Sequence, residues 1–257
     1  MLKTAHAFEE RMDSILMFLD ILSASVAMAK SNDRYVKSKA AFVVSSKRLK
    51  SIIIRNSNFT LVGYDGSYLT ACAEFEMTVR RLIEKFVGEA NVKCSEYHHL
   101  PKVIRDWYPD GCSSIILNIS QDKYRHLTKD QIVKSLASCQ RVKGYTLVGE
   151  AFSDTRRNFR PKVIEEVLSI RLGLPKVWQK LSREKALQTA VGTSDLATAE
   201  RALKDKLEKI IQRRNDIIHR GRSYFAPSDS EVRDCSNFLK ALVSGLSSVM
   251  VNHLASF

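Results

Sequence analysis

LEKIIQRRNDIIHRG, residues 207–221, closes a run of helical periodicity that opens near Asp195, and its reading decides the fold. Leu203, Leu207 and Ile210 recur at steps of three and four, marking one apolar helical stripe. Continuing that stripe lands on Arg214 and then on Ile217 or Ile218. The arginine therefore occupies an apolar-face position, where a guanidinium needs an anionic partner because burying it alone is costly. A carboxylate such as Glu76, a neighbouring chain or a bound phosphate would serve. Asn215 and His219 stand one turn apart and can share a face. Arg214 and His219 are separated by about 140° on an ideal helix. Arginine is long, however, and a helix ending at Gly221 need not stay ideal, so both can reach one anion.

Working outward, Ser228 and Glu231 have capping-box spacing ahead of Val232, Cys235, Leu239, Leu242, Leu246 and Val249, which predicts a long last helix. Toward the N-terminus, Phe8, Met12, Ile15, Leu19, Leu22 and Val26 mark a helix through the first thirty residues. A basic stretch from Lys30 to Arg55 follows, read as a solvated face, and GYDGSY at Gly63 to Tyr68 reads as a turn. Leu69, Cys72, Phe75, Val79, Leu82 and Phe86 then predict another helix, with Glu76 in or beside its stripe. From Gly88 to Arg160 the pattern breaks up around HLPKV, WYPDG and VKGY, and the apolar run Ile115 to Ile119 fits a strand or a buried helix. Thr128 and Gln131 propose a capped helix inside that stretch. Pro161 starts another, carried by Val163, Val167 and Ile170 and ending near RLGLP, before a linker around VGTSD. The expectation is one all-α domain over 1–257, with 88–160 an insertion or elaboration.

Only ten glycines and five prolines among 257 residues agree with a helical chain. Lysine and arginine number 41 against 28 acids, a formal charge of +13, which attracts polyanions and makes nucleic acid the leading partner. No helix-turn-helix stands out to support a DNA-binding regulator. The N-terminus carries acids where a signal peptide would need an unbroken apolar stretch, and no segment reads as a membrane span, so a cytoplasmic protein is expected. Five scattered cysteines without a CxxC pair suit reduced thiols. His98 and His99 near Cys94 read as loop residues, and neither a metal nor a cofactor is expected.

Histidine carries protons near neutral pH, and arginine holds negative charge on a phosphoryl group. RNA brings its own nucleophile in the ribose 2′-hydroxyl, so His219, Arg214 and the polar Asn215 suffice to cleave it without a metal, leaving a 2′,3′-cyclic phosphate. Arg213, Arg220 and Arg222 add cationic contacts for RNA, and Tyr224 and Phe225 either stack on an unpaired base or pack ahead of the last helix.

Residues 207–221 resemble the signature of the HEPN superfamily, an R-x4–6-H motif with a polar residue after the arginine, matched here by Arg214, Asn215 and His219. SYLTACAEFEMTVRRLIEKF, with Phe75 and Glu76 early in a helix, is similar to the second helix of RiboL-PSP-type HEPN proteins. The likeness spans residues 1–87 and 195–257, leaving the middle unmatched. It implies an antiparallel helical bundle that forms a homodimer through the motif helices, bringing two Arg/His sets into one cleft. It further implies a metal-independent endoribonuclease of toxin–antitoxin or antiphage systems. In that picture His219 is the acid/base, Arg214 the phosphate clamp and Asn215 an orienting group, with Glu76 and Asp216 behind them. An inhibitory or activating partner protein is expected, docking on the 88–160 stretch. The alternative is a non-catalytic HEPN-like module that binds RNA or protein.

Overall fold

A computed structural model describes residues 1–30, 41–55, 58–141, 143–155, 157–219 and 225–257 as an all-α molecule, with no strand among them. In chain order the helices are α1 (Leu2–Lys30), α2 (Ala41–Arg55), α3 (Phe59–Lys93), α4 (Lys102–Leu117), α5 (Lys129–Ser138) and α6 (Glu150–Ser153). They continue as α7 (Pro161–Glu166), α8 (Val177–Leu181), α9 (Lys185–Val191), α10 (Leu196–His219) and α11 (Asp229–Ala255).

Ionic and hydrogen-bonded pairs mark the helix directions. The Met1 ammonium meets Glu89 at 2.9 Å and Arg11 meets Glu74, so α1 runs antiparallel to α3. Lys240 reaches Asp13 at 2.6 Å and Arg233 reaches Asp20 at 2.8 Å, which makes α1 antiparallel to α11 as well. Lys206 with Asp234 at 2.7 Å and Arg213 with Glu231 at 3.6 Å turn α10 back along α11. The expected stripes form the interior: Phe8, Met12, Leu19, Phe75, Leu82, Phe86, Leu203, Leu207, Leu239 and Leu242 are all buried. Both capping boxes form, Thr128 with Gln131 and Ser228 with Glu231.

Several expectations fail locally. GYDGSY is no turn: Gly63 to Tyr68 lies inside α3, where Leu22 packs directly over Gly63 and Asp65, Ser67 and Tyr68 are buried. Glycine is used there for close helix contact rather than for chain reversal. WYPDG likewise sits within α4, which absorbs Pro109, and Ile115 ends up in that helix rather than in a strand. Ile170 leaves the apolar stripe and is exposed, because α7 passes into a π-turn at Val167–Arg171 that rotates the following side chains off helical register. Nor does the membrane expectation hold by length and composition: α1 and α11 are each long and apolar enough to cross a bilayer. Core helices of soluble proteins meet the same criterion, and α11 spends its apolar stripe on α3 and α1. The basic residues Arg34, Lys37 and Lys39 lie outside the described residues.

The 88–160 stretch is a packed layer. Its buried Tyr108, Ile132, Tyr145 and Phe152 belong to the same apolar cluster as the long helices. Short α6 is clipped between α3 and α4: Ser153 donates to Glu84 at 2.7 Å, and the Trp107 indole donates to the Ala151 carbonyl at 2.9 Å. Gly111 of α4 is required for this approach, since a Cβ there would lie 2.3 Å from the Ala151 carbonyl oxygen. Gly111→Ala should destabilise the protein by about 1–3 kcal/mol in urea denaturation. Gly88→Ala, on an exposed turn of α3 where a Cβ meets nothing within 4 Å, should be neutral or stabilising. Equal effects at both positions would refute the packing account.

Candidate active site

The last two turns of α10 carry the motif. Ile217 is buried and anchors this end, while Ile218 is 47% exposed and His219, the final helical residue, faces solvent. Arg214 and Asn215 are half-buried on the side turned toward α3 and the loop before α7. The Arg214 guanidinium donates to Asn215 Oδ1 at 3.1 Å, and Asn158 Nδ2 donates to the same oxygen at 3.4 Å. The asparagine amide thus tethers the arginine head to the loop. It makes no bond to His219, whose imidazole has no hydrogen bond or ion pair among the described residues.

Glu76 is the charge that the apolar-face arginine calls for. Burial raises its carboxyl above the usual range, while the nearby Arg214 and Arg80 guanidiniums pull it back down. It forms no direct ion pair with Arg214, and its Oε1 is buried without a hydrogen-bond partner among the described residues. An orphaned carboxylate oxygen beside an arginine leaves the local charge incompletely satisfied.

Arg80, one turn beyond Glu76 on α3, fixes the loop. It donates to the Ser153 carbonyl at 3.0 Å and to Thr155 Oγ1 at 3.2 Å, and its guanidinium lies 5.1 Å from the Phe159 ring centre. Arg160 closes the same loop onto Glu208 of α10. Sequence reading missed Arg80, Thr155 and Asn158, since no periodic pattern joins α3 to this loop. The one signal present was the dense polar and basic run TRRNFR just before Pro161.

The other expected site residues lie elsewhere. Arg213 points toward α11 and pairs with Glu231 at 3.6 Å, so an acid already neutralises the cation that was expected to meet RNA. Asp216 does not stand behind Arg214. It accepts from Gln212 at 2.9 Å and lines the α10–α11 groove with Arg213, Tyr68 and Lys209, because two residues along a helix turn a side chain to the far face. Phe225 is 78% exposed rather than packed, and Arg220, Arg222 and Tyr224 lie outside the described residues.

Residues 7–252 match the family described as RiboL-PSP-HEPN. The chain belongs to that family. The matched range spans the 88–160 stretch, whose buried residues share the apolar cluster of the long helices. Comparison with curated proteins and with solved structures gives no match. HEPN domains are commonly RNA-directed and often nucleases, and membership suggests an RNA-related function without fixing a reaction.

Away from the motif, Glu96 Oε2 lies 3.2 Å from His98 Nε2 and 3.9 Å from His99 Nε2, so the two histidines expected in a loop share an acid and form a group able to hold a metal ion. Cys94 stays apart from it, its thiol directed at the His99 carbonyl at 3.9 Å.

Because Glu76 has its carboxyl raised in the folded state, it opposes folding once ionised. That penalty is absent below the unfolded pKa and grows as pH rises through the higher folded value. Replacing it by glutamine should therefore gain stability relative to wild type on going from acid to neutral pH. Urea midpoints measured across that range for wild type and Glu76→Gln would show a pH-independent difference if the argument is wrong.

Proposed function

We propose that the protein is a metal-independent endoribonuclease that cleaves RNA through the ribose 2′-hydroxyl. The observation that carries this reading is the end of α10: a half-buried Arg214 tethered through Asn215 to Asn158, and on the last turn a solvent-facing His219 with no partner among the described residues. Arg214 holds the scissile phosphate and neutralises charge developing on its oxygens. His219 takes the 2′-hydroxyl proton or protonates the 5′-oxygen leaving group. Asn215 keeps the guanidinium head in position. One His219 supplies a proton acceptor or a proton donor at a given moment, so two copies arranged about a twofold axis would provide both. Exposed Ile218 and Phe225 give apolar surface for such a homodimer at this end of the molecule. The formal charge of +13 draws a polyanion to it.

An active cellular ribonuclease needs restraint, so we place this protein in the cytoplasm as a toxin or antiphage effector with an inhibitory or activating partner. A second reading, a non-catalytic HEPN module that binds RNA or protein, is favoured by the occupation of Asn215 Oδ1 by Arg214 and Asn158, a contact that also suits a purely structural tether.

Incubating the purified protein with total RNA in EDTA, followed by end-group analysis, should yield 2′,3′-cyclic phosphate and 5′-hydroxyl ends. His219→Ala should reduce cleavage by about 100-fold or more, in line with loss of a general acid/base, while the oligomeric state and RNA binding persist. Intact RNA with wild type, or undiminished cleavage by the variant, would dismiss the catalytic reading.

A further inference from the structure

Beside the motif loop lies a cavity of about 270 Å³ between α4, the residues after α6, and the π-turn. Trp107, Asp110 and Ser114 contribute from successive turns of α4, Arg157 from the loop, and Glu166 and Arg171 from the opposite wall. Arg171 is the unusual member. It is only 7% exposed, held at the end of the π-turn, and its guanidinium stacks 4.5 Å from the Trp107 ring centre. Its Nη1 donates to the Phe152 and Asp154 carbonyls at 3.0 and 2.6 Å, and its Nη2 meets Glu166 at 3.4 Å. Its Nε is buried with no hydrogen-bond partner among the described residues. Arg171 and Trp107 thus form one fixed wall of the cavity.

The groups still free in the cavity define what that ligand presents. Glu166 is engaged by Arg171, and Asp154 by Lys123 at 2.5 Å. Asp110 and Arg157 form no hydrogen bond or ion pair through their side chains among the described residues. Among the described residues one free carboxylate and one free guanidinium line the cavity, so their charges cancel and a bare phosphate would face Asp110. The cavity instead suits a neutral planar ligand with paired donors on one edge and acceptors on another, lying against the Trp107–Arg171 stack. Guanine has that arrangement: N1–H and the N2 amino group can both donate to a carboxylate, while O6 and N7 accept from arginine. Adenine and cytosine offer only an amino group as donor, and uracil a single imide.

We propose that this cavity is a guanine-binding site, and that it receives an unpaired guanine of the RNA held at Arg214 and His219. The link to the motif is short. Thr155 and Arg157 line the cavity, while Asn158, the next residue, donates to Asn215. Arg157 and Asn158 are neighbours, their Cα atoms about 3.8 Å apart, so the base site and the phosphate clamp are set on one short piece of loop. Placement on RNA rests on the ribonuclease reading above; guanine binding itself does not.

The chain has two tryptophans, and Trp178 is sealed in the interior, donating to the Pro161 carbonyl at 3.1 Å. Emission of the full-length protein, compared with Trp107→Phe, therefore isolates the cavity signal. Titration with GMP, AMP, CMP and UMP should change Trp107 emission with GMP binding at least about tenfold tighter than the others, the discrimination expected of one bidentate contact. Asp110→Asn, an exposed position where circular dichroism and Tm should not move, should erase that preference, and Arg157→Ala should weaken GMP binding. His219→Ala should leave it intact. Arg171 is too buried to test this way. A single guanosine within a short oligouridylate should bind more tightly than oligouridylate alone and direct cleavage to a fixed position beside it, a bias lost in Asp110→Asn. Equal affinity for all four nucleotides, a preference for another base, or a preference that survives Asp110→Asn would overturn the guanine site. GMP binding without any effect of guanosine in the oligomer would assign the cavity to a free nucleotide and overturn its placement on RNA. Guanine binding with no cleavage of any RNA would remove the ribonuclease reading alone, whereas cleavage without guanine preference would remove the cavity proposal alone.

Discussion

A guanidinium set into the apolar stripe of α10 is the constraint around which this end of the molecule is organised. Arg214 follows Leu203, Leu207 and Ile210 on the inward side of the helix, so the neighbouring elements must supply polar atoms where the rest of the bundle supplies hydrocarbon. They do so from three sources: Glu76 across on α3, Asn215 on the same helix, and Asn158 from the loop before α7. The result is partial satisfaction. Glu76 keeps one buried oxygen unpaired among the described residues, and burial raises its carboxyl.

The same helix separates two chemical surfaces. On one side Lys206 and Arg213 pair with Asp234 and Glu231 of α11, along a groove that Lys209 and Asp216 also line. On the other, Arg214 and Asn215 face α3 and a loop tied down by Arg80 and Arg160. Adjacent arginines in the sequence therefore play different parts, one closing a helix pair and the other facing the cluster at the helix end. One residue step turns the side chain by about 100°.

The middle of the chain explains why the loop can act as a strap. Residues from α4 to α6 add buried aromatic side chains to the common core, and Gly111 lets α4 come close enough for Trp107 to grip the α6 carbonyl. The loop after α6 leaves this rigid layer already anchored by Arg80 and Arg171, and delivers Asn158 to the motif. Packing of the middle layer and geometry of the α10 end are thus mechanically continuous.

Local periodicity alone was enough to read the four long helices, both capping boxes and the Arg214–Asn215–His219 set, because each depends on neighbours within a few turns. Even Glu76 was legible, as an acid beside an apolar stripe in want of a cation. Where burial came from another element, the same reading failed: GYDGSY has the composition of a turn, yet Leu22 from α1 covers it and keeps it helical. Ile170 has the spacing of a core residue, yet the π-turn swings it outward. Arg80, Asn158 and the Trp107–Arg171 cavity come from segments far apart in the chain, joined by hydrogen bonds and stacking that no local pattern encodes. Sequence determined which polar side chains fall at the end of α10, since that is a property of residue type and helical spacing. Only the tertiary structure decided which of them face one another, since that depends on how separate helices pack and where their few polar atoms can be satisfied.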